Sequence, residues 1–306
     1  MVPFYILTSA CFASISNLFF RKNLEKSATS RGFLALYFLA SLLLCIFFNR
    51  AILSAPFSPV IFTIAASTAL LFFSMLSLTA KAFELGPPGL TLTFQNASCI
   101  FPGLLLCTLF GPAYGFSMTP GLIAGLVMIL TGLYLSSRSH GKSDDKAVSN
   151  PTFKKWLLCV IAVMVLQGMV LTIFQWRVLL FNCSTEHSHW LLPWSCRAQE
   201  DIWFIPAFFL VPTLIQLLLF WKTEKRKFSK AETVYGISSG IFNCFCTVLL
   251  LFSTKVEGSL KKEMLFPLFT VSVILICNLW GWKLYREKVN WLGVSLCVLG
   301  VLVGLI

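Results

Sequence analysis

The chain has 306 residues, of which 57% are apolar and only 12% charged, with a formal net charge of +12. A soluble domain carries about 25% charged residues, so water cannot cover most of this surface, and the mean hydropathy of +0.83 agrees. The positive charge does not imply nucleic acid, because Lys and Arg sit in short loops between apolar runs and form no stripe on a soluble fold.

A helix needs about 20 mostly apolar residues to cross a bilayer. Runs of that kind follow one another along the chain at 4–20, 32–49, 59–80, 89–110, 119–136, 155–180, 202–221, 232–254, 264–284 and 289–306. They are continuous, without the ten-residue alternation of a porin-like barrel. Helices also satisfy their own backbone groups in lipid. The expected fold is an all-α polytopic membrane protein with about ten transmembrane helices. The first run reads as a retained span, since Met1 to Tyr5 carry no basic residue and no small-residue cleavage pattern follows. Most of the eleven cysteines, among them Cys11, Cys45, Cys107, Cys159, Cys244 and Cys246, fall within the runs. There a thiol packs as a small hydrophobe.

Two polar stretches interrupt the pattern, at 136–155 and 182–201. The first lies at the midpoint and divides the chain into a five-span half at 1–140, a linker at 141–153 and a second five-span half at 154–306. The halves echo each other. Gly125 and Gly132 in span five match Gly293 and Gly300 in span ten, at the same spacing. Pro102 interrupts span four and Pro267 span nine, each after a Phe, and Glu84 and Glu257 end spans three and eight. An odd number of spans per repeat inverts the second copy. Two inverted five-helix repeats are therefore expected, an arrangement that underlies many secondary transporters. Gly and Pro are also simply common in membrane helices.

Loops after odd-numbered spans hold eighteen of the 24 basic residues. The positive-inside rule puts those loops in the cytoplasm and both termini outside. The 182–201 loop then faces outside, where a Cys183–Cys196 disulfide is permitted. The same loop carries His187 and His189 near Cys183 and Cys196, so a metal site is conceivable there, but the spacing fixes neither its geometry nor the state of the thiols and no metal is assigned. Its Asn182-Cys183-Ser184 fits an N-glycosylation acceptor pattern.

The stretch FPLFTVSVILICNLWGWKLYREKVNWLGVSLCVLGVLVGL at 266–305 resembles the last two spans of the drug/metabolite transporter superfamily, in its EamA-like branch. A Pro-containing helix there leads through a short loop with Glu287 into a glycine-spaced helix. The stretches at 236–258 and 82–111 resemble the preceding span and spans three and four of that family. The first-half loop GPAYGFSMTP departs from it by lacking an acidic residue. What the resemblance implies is a ten-span carrier of the cell membrane, the inner membrane if the cell is bacterial, moving a small metabolite by alternating access. Relatives move amino acids, sugars, nucleotide derivatives and drugs. No cofactor is implied, and the assembly is a monomer or homodimer.

A polar side chain inside a span is costly and faces protein or a water-filled path. The candidate substrate-binding residues are Gln95, Asn96, Gln167, Gln175, Asn243 and Asn278. Their amides both donate and accept hydrogen bonds; the alternative is that they link helices. Gln216 in span seven belongs to the same set, and Thr247 shares a helix face with Asn243. Pro102 and Pro267 are candidate helix breaks or gates. Lys81, Lys255, Lys261 and Lys262 are candidates for an electropositive vestibule, against simple snorkelling, which also accounts for Arg177. No Asp or Glu lies in the middle of a span, which argues against a proton-coupled carboxylate mechanism. A transporter is the leading reading, with a non-transporting scaffold and a lipid-acting intramembrane enzyme as alternatives. The enzyme lacks a Gly-x-Ser-x-Gly elbow.

Overall fold

The structure is a computed structural model that describes residues 2–26, 29–49, 55–86, 88–140, 150–181, 190–192, 196–255, 261–286 and 289–306. Within these residues the protein is all-helical. The helices are α1 (Val2–Glu25), α2 (Ser30–Phe48), α3 (Pro59–Leu85), α4 (Pro88–Ala97), α5 (Ile100–Leu109), α6 (Pro120–His140), α7 (Asn150–Leu179), α8 (Phe204–Thr223), α9 (Lys230–Lys255), α10 (Leu265–Tyr285) and α11 (Trp291–Leu305). Seven of them, α1 to α3 and α7 to α10, are long and apolar enough to cross a membrane, and Phe94–Leu109, Pro120–Leu135 and Trp291–Leu305 are shorter apolar stretches. Leu43, Phe47, Leu158, Leu218, Trp221 and Leu292 stand exposed on the helices. A bilayer solvates such a surface and water does not.

The helix starts follow from local chemistry. Pro59, Pro88 and Pro120 open α3, α4 and α6, where the missing N–H costs nothing. Thr29 and Asn290 cap α2 and α11, accepting from the Gly32 and Gly293 N–H groups at 3.2 Å each.

The chain divides into two compact units, and each draws segments from both halves of the sequence. Unit 1 comprises residues 1–10, 74–176 and 253–306. Its centre is the α6–α11 pair. A Cβ on Gly125 would stand 2.4 Å from the Gly300 carbonyl oxygen, and one on Gly132 2.6 Å from that of Gly293. The four glycines singled out in the sequence therefore bring two backbones into direct contact. Leu122, Leu126, Ile129, Val294, Cys297 and Val301 are buried on these helices. Asn290 Nδ2 ties the pair by donating to the Leu135 carbonyl at 2.8 Å. Trp156 of α7 forms a second centre, buried with Ala82 and Val160 and donating to Thr91 Oγ1 at 3.1 Å.

Pro102 and Pro267 behave differently. Pro102 has no N–H, and its ring excludes the carbonyl four residues back from a regular helix. That residue is Ser98, and span four breaks there into α4 and α5, each ten residues long. Each half rises about 15 Å, roughly half of a bilayer core. Pro267 instead lies in the first turn of α10, where helices tolerate proline. It does not interrupt the span as the sequence reading expected. Pro212 lies inside a long helix, α8.

Unit 2 comprises residues 11–73 and 177–252. Here α9 packs on α2 through Gly236 and Gly240. A Cβ at these positions would lie 2.9 Å from the Phe33 carbonyl oxygen and 2.3 Å from that of Tyr37. This is small-xxx-small packing, which lets membrane helices approach closely. Aromatic rings join α1 to α9 through Phe12, Phe19, Tyr235, Phe242 and Phe245, with centroids 5.6–6.2 Å apart.

Candidate functional site

The close approach of α9 in unit 2 gathers polar groups in its interior. Ser16 and Ser239 hydroxyl oxygens are 2.8 Å apart, and the Ser239 hydroxyl also donates to the Ser16 carbonyl at 3.0 Å. The Ser41 hydroxyl donates to the Gly240 carbonyl at 2.8 Å. One turn along α9, Asn243 is 9% exposed, and its Nδ2 has no hydrogen-bond partner. Thr247 is buried on the same helix face. The serines are satisfied, so they join helices. Asn243 retains unused donor capacity.

Unit 1 holds the other predicted amides. Gln95, on α4 just before the break, donates from Nε2 to Met75 Sδ at 3.7 Å, a weak acceptor, while its buried Oε1 has no partner. Gln167 Oε1 on α7 is likewise buried without one. Gln175, two turns further along α7, donates to the Lys262 carbonyl at 2.8 Å and leaves Oε1 unmatched. Asn96 and Asn278 are half-buried on α4 and α10. Gln216 of α8, in unit 2, donates to the Arg31 carbonyl at 3.1 Å and so links helices. Buried polar groups almost always find partners, and those that do not call for a reason. Gln95, Gln167, Gln175 and Asn243 are among the few exceptions here.

The lysine set does not behave as one group. Lys262 lies beside the 111–119 turn, with Nζ 6.0 Å from the centre of the Phe116 ring. Its neighbour Lys261 is half-buried, and Lys255 and Lys81 are exposed. Glu263, next in sequence, is buried and accepts from the Ser117 N–H. This partly answers the missing acidic residue of the first-half loop, because the carboxylate comes from the second half of the chain.

Two charged clusters stand apart from the residues expected to bind substrate. Arg177 closes α7 and was expected to snorkel, yet its residue exposure is 0%. Its Nη1 is 2.9 Å from Asp201 Oδ1, and its guanidinium lies 4.3 Å from the centre of the Phe204 ring. An Arg at the end of an apolar run gives no sign of a partner 24 positions away. Glu232, in the first turn of α9, is also fully buried. It accepts from the Ser229 N–H at 2.7 Å and the Thr29 N–H at 3.1 Å, and Arg226 Nη2 donates to it at 2.6 Å. The pattern Ser229-x-x-Glu232 is a capping box, so this part was readable. The carboxylates hold the Arg226 guanidinium well above its ordinary pKa.

Cys183, and with it the Cys183–Cys196 pairing, as well as Asn182, His187, His189, Glu257 and Glu287, lie outside the described residues. Cys196 is a buried free thiol. Burial, then the Glu200 and Asp201 carboxylates, push its pKa up, and the thiolate is the reactive form. Iodoacetamide at pH 7.5 should therefore label Cys196 of the folded protein at least tenfold more slowly than after denaturation, as read by peptide mass spectrometry. Equal rates would contradict the buried placement.

No protein-family model matches the chain, and no curated protein matches it. Among solved structures, 29 chains match. One aligns with a TM-score of 0.70 over 99% of this chain and 94% of its own length, at 13% identity, and is described as the crystal structure of a protein with no function stated. At that identity the likeness is one of fold.

Proposed function

We propose that the chain is a secondary membrane transporter for a small polar or anionic metabolite of the amino-acid, nucleotide-derivative or sugar class. On this reading it has ten spans in two inverted five-helix halves, similar to the EamA-like drug/metabolite transporters, with both termini outside. The observation that carries the proposal is the set of buried amides with unused hydrogen-bonding atoms, Gln95, Gln167 and Asn243. A helix-linking amide spends its capacity on the neighbouring helix, as Gln216 does. An unspent one costs about 1–3 kcal/mol, a cost that a passing substrate offsets. The break between α4 and α5 adds support, since interrupted helices line transporter sites.

The test is Gln95→Ala, Gln167→Ala and Asn243→Ala, each scored for membrane abundance, melting temperature and uptake or counterflow in proteoliposomes. We expect transport to fall at least tenfold in one or more variants while melting temperature stays within a few degrees. Wild-type transport in all three would remove these amides from the substrate-binding set. Losses that only track folded protein would return these amides to a helix-linking role.

A further inference from the structure

The guanidinium of Arg177 is used on one side only. Nη1 faces Asp201, and the Phe204 ring covers one face of the plane. Nε and Nη2 are buried and have no hydrogen-bond partner. These two nitrogens form the side-on fork of an arginine, whose parallel N–H groups match two oxygens of a carboxylate or phosphate. Every partner named here belongs to unit 2.

A purely structural ion pair explains this geometry poorly. A buried pair holds together at reasonable cost only when its remaining donors are also satisfied. Dry, unpaired N–H groups on a charged residue carry a larger penalty than neutral ones. Asp201 and Phe204 fix the plane of the guanidinium, so the fork is preorganised.

We propose that the Nε/Nη2 fork of Arg177 binds an oxyanion, the carboxylate or phosphate of the transported solute. This rests on the transporter reading and narrows its substrate class to solutes bearing such a group. Both nitrogens are sealed from solvent in this structure, so the ligand enters only when the neighbouring residues part. An occluded carrier site has that property. The fork is selective in a way that a lysine cannot be, because a single ammonium offers no planar pair of donors.

The experiment uses the full chain in phosphatidylcholine nanodiscs and follows melting temperature against glutamate, succinate, inorganic phosphate and adenosine monophosphate. A ligand of the folded state raises it in a saturable way. A further arm replaces part of the phosphatidylcholine with phosphatidylglycerol, to separate a lipid phosphate from a free solute. Two variants are compared, Arg177→Lys and the double change Arg177→Met with Asp201→Leu. The second removes both charges together, which preserves stability better than removing one.

We expect at least one soluble probe to stabilise the wild type, with apparent affinity at least tenfold weaker in Arg177→Lys and no shift in the double variant. Stabilisation by phosphatidylglycerol alone, lost in the double variant, would overturn the solute assignment and give the fork to lipid. A wild type that responds to no probe, or a double variant that responds equally, would overturn the site itself. Binding is read without transport. Failure here with transport intact removes the Arg177 site and leaves the carrier standing, and intact binding without transport does the reverse.

Discussion

Replacing Gly125 with valine should leave almost no folded protein. The ideal Cβ at this position already falls 2.4 Å from the Gly300 carbonyl oxygen and 2.8 Å from the Gly304 nitrogen. Both obstacles are backbone, so no rotamer change relieves them, and α6 and α11 must separate along their length. Overpacking a closely packed interior costs about 1–3 kcal/mol even where side chains can yield. With backbone on both sides the cost exceeds about 3 kcal/mol, a large share of a typical stability. Gly121 supplies the graded control. Its Cβ would meet the Val303 carbonyl oxygen at 3.1 Å, a gap that a shift of a few tenths of an ångström opens. Gly121→Ala should lower melting temperature by a few degrees, Gly125→Ala by considerably more, and Gly125→Val should abolish the monodisperse peak in size-exclusion chromatography. Equal behaviour of the two alanine variants would refute the contact.

The second large effect is expected at Glu232. Its carboxylate accepts from the Ser229 and Thr29 N–H groups, from the Thr29 hydroxyl at 2.7 Å and from Arg226. It thereby satisfies orphan donors at the starts of both α9 and α2. Loss of a cap costs about 1 kcal/mol, and hydrogen bonds to a charged group contribute about 1.5–3 kcal/mol. Glu232→Ala should therefore destabilise by about 3 kcal/mol or more, seen as a fall in melting temperature of well over five degrees. Glu232→Gln retains an acceptor oxygen and should fall between the two. Gly32 takes part in the same arrangement, since a Cβ there would collide with the carboxylate at 2.4 Å. An unchanged melting temperature in Glu232→Ala would mean that the two helix starts find other partners.

The membrane class was legible in the sequence because it depends on composition and run length alone. Seven of the apolar runs are long helices, and Pro102 marks a span that breaks in two among the described residues. The glycine spacing at 125, 132, 293 and 300 is equally visible in the sequence, as an echo between two halves. The structure gives it a direct cause, since the two pairs face each other across α6 and α11. Pro267 falls in the first turn of α10 and not within the span, because a run of apolar residues hides where its helix begins. The charged KKEM sequence just before it was the available signal. The small-xxx-small pattern at Gly236 and Gly240 and the capping box at Ser229 and Glu232 are both readable from spacing. Arg177 and Asp201 were not readable. Their pairing depends on the path of the chain between them, and no local rule of helix or turn formation encodes it.

The division into units has a consequence for the order in which the protein is assembled. All of unit 2 lies within the first 252 residues, whereas unit 1 draws on residues 253–306. A nascent chain emerges N-terminus first and its domains generally fold as units. Unit 2 therefore has every residue it needs while α10 and α11 are still to be made. Over that interval the notched face of α6 has no covering helix, because its partner lies 168 positions downstream, the separation of Cys297 from the Ile129 carbonyl it meets. A chain that stops before Gly293 keeps α6 permanently uncovered, so α11 acts as the closing element of a unit begun far upstream.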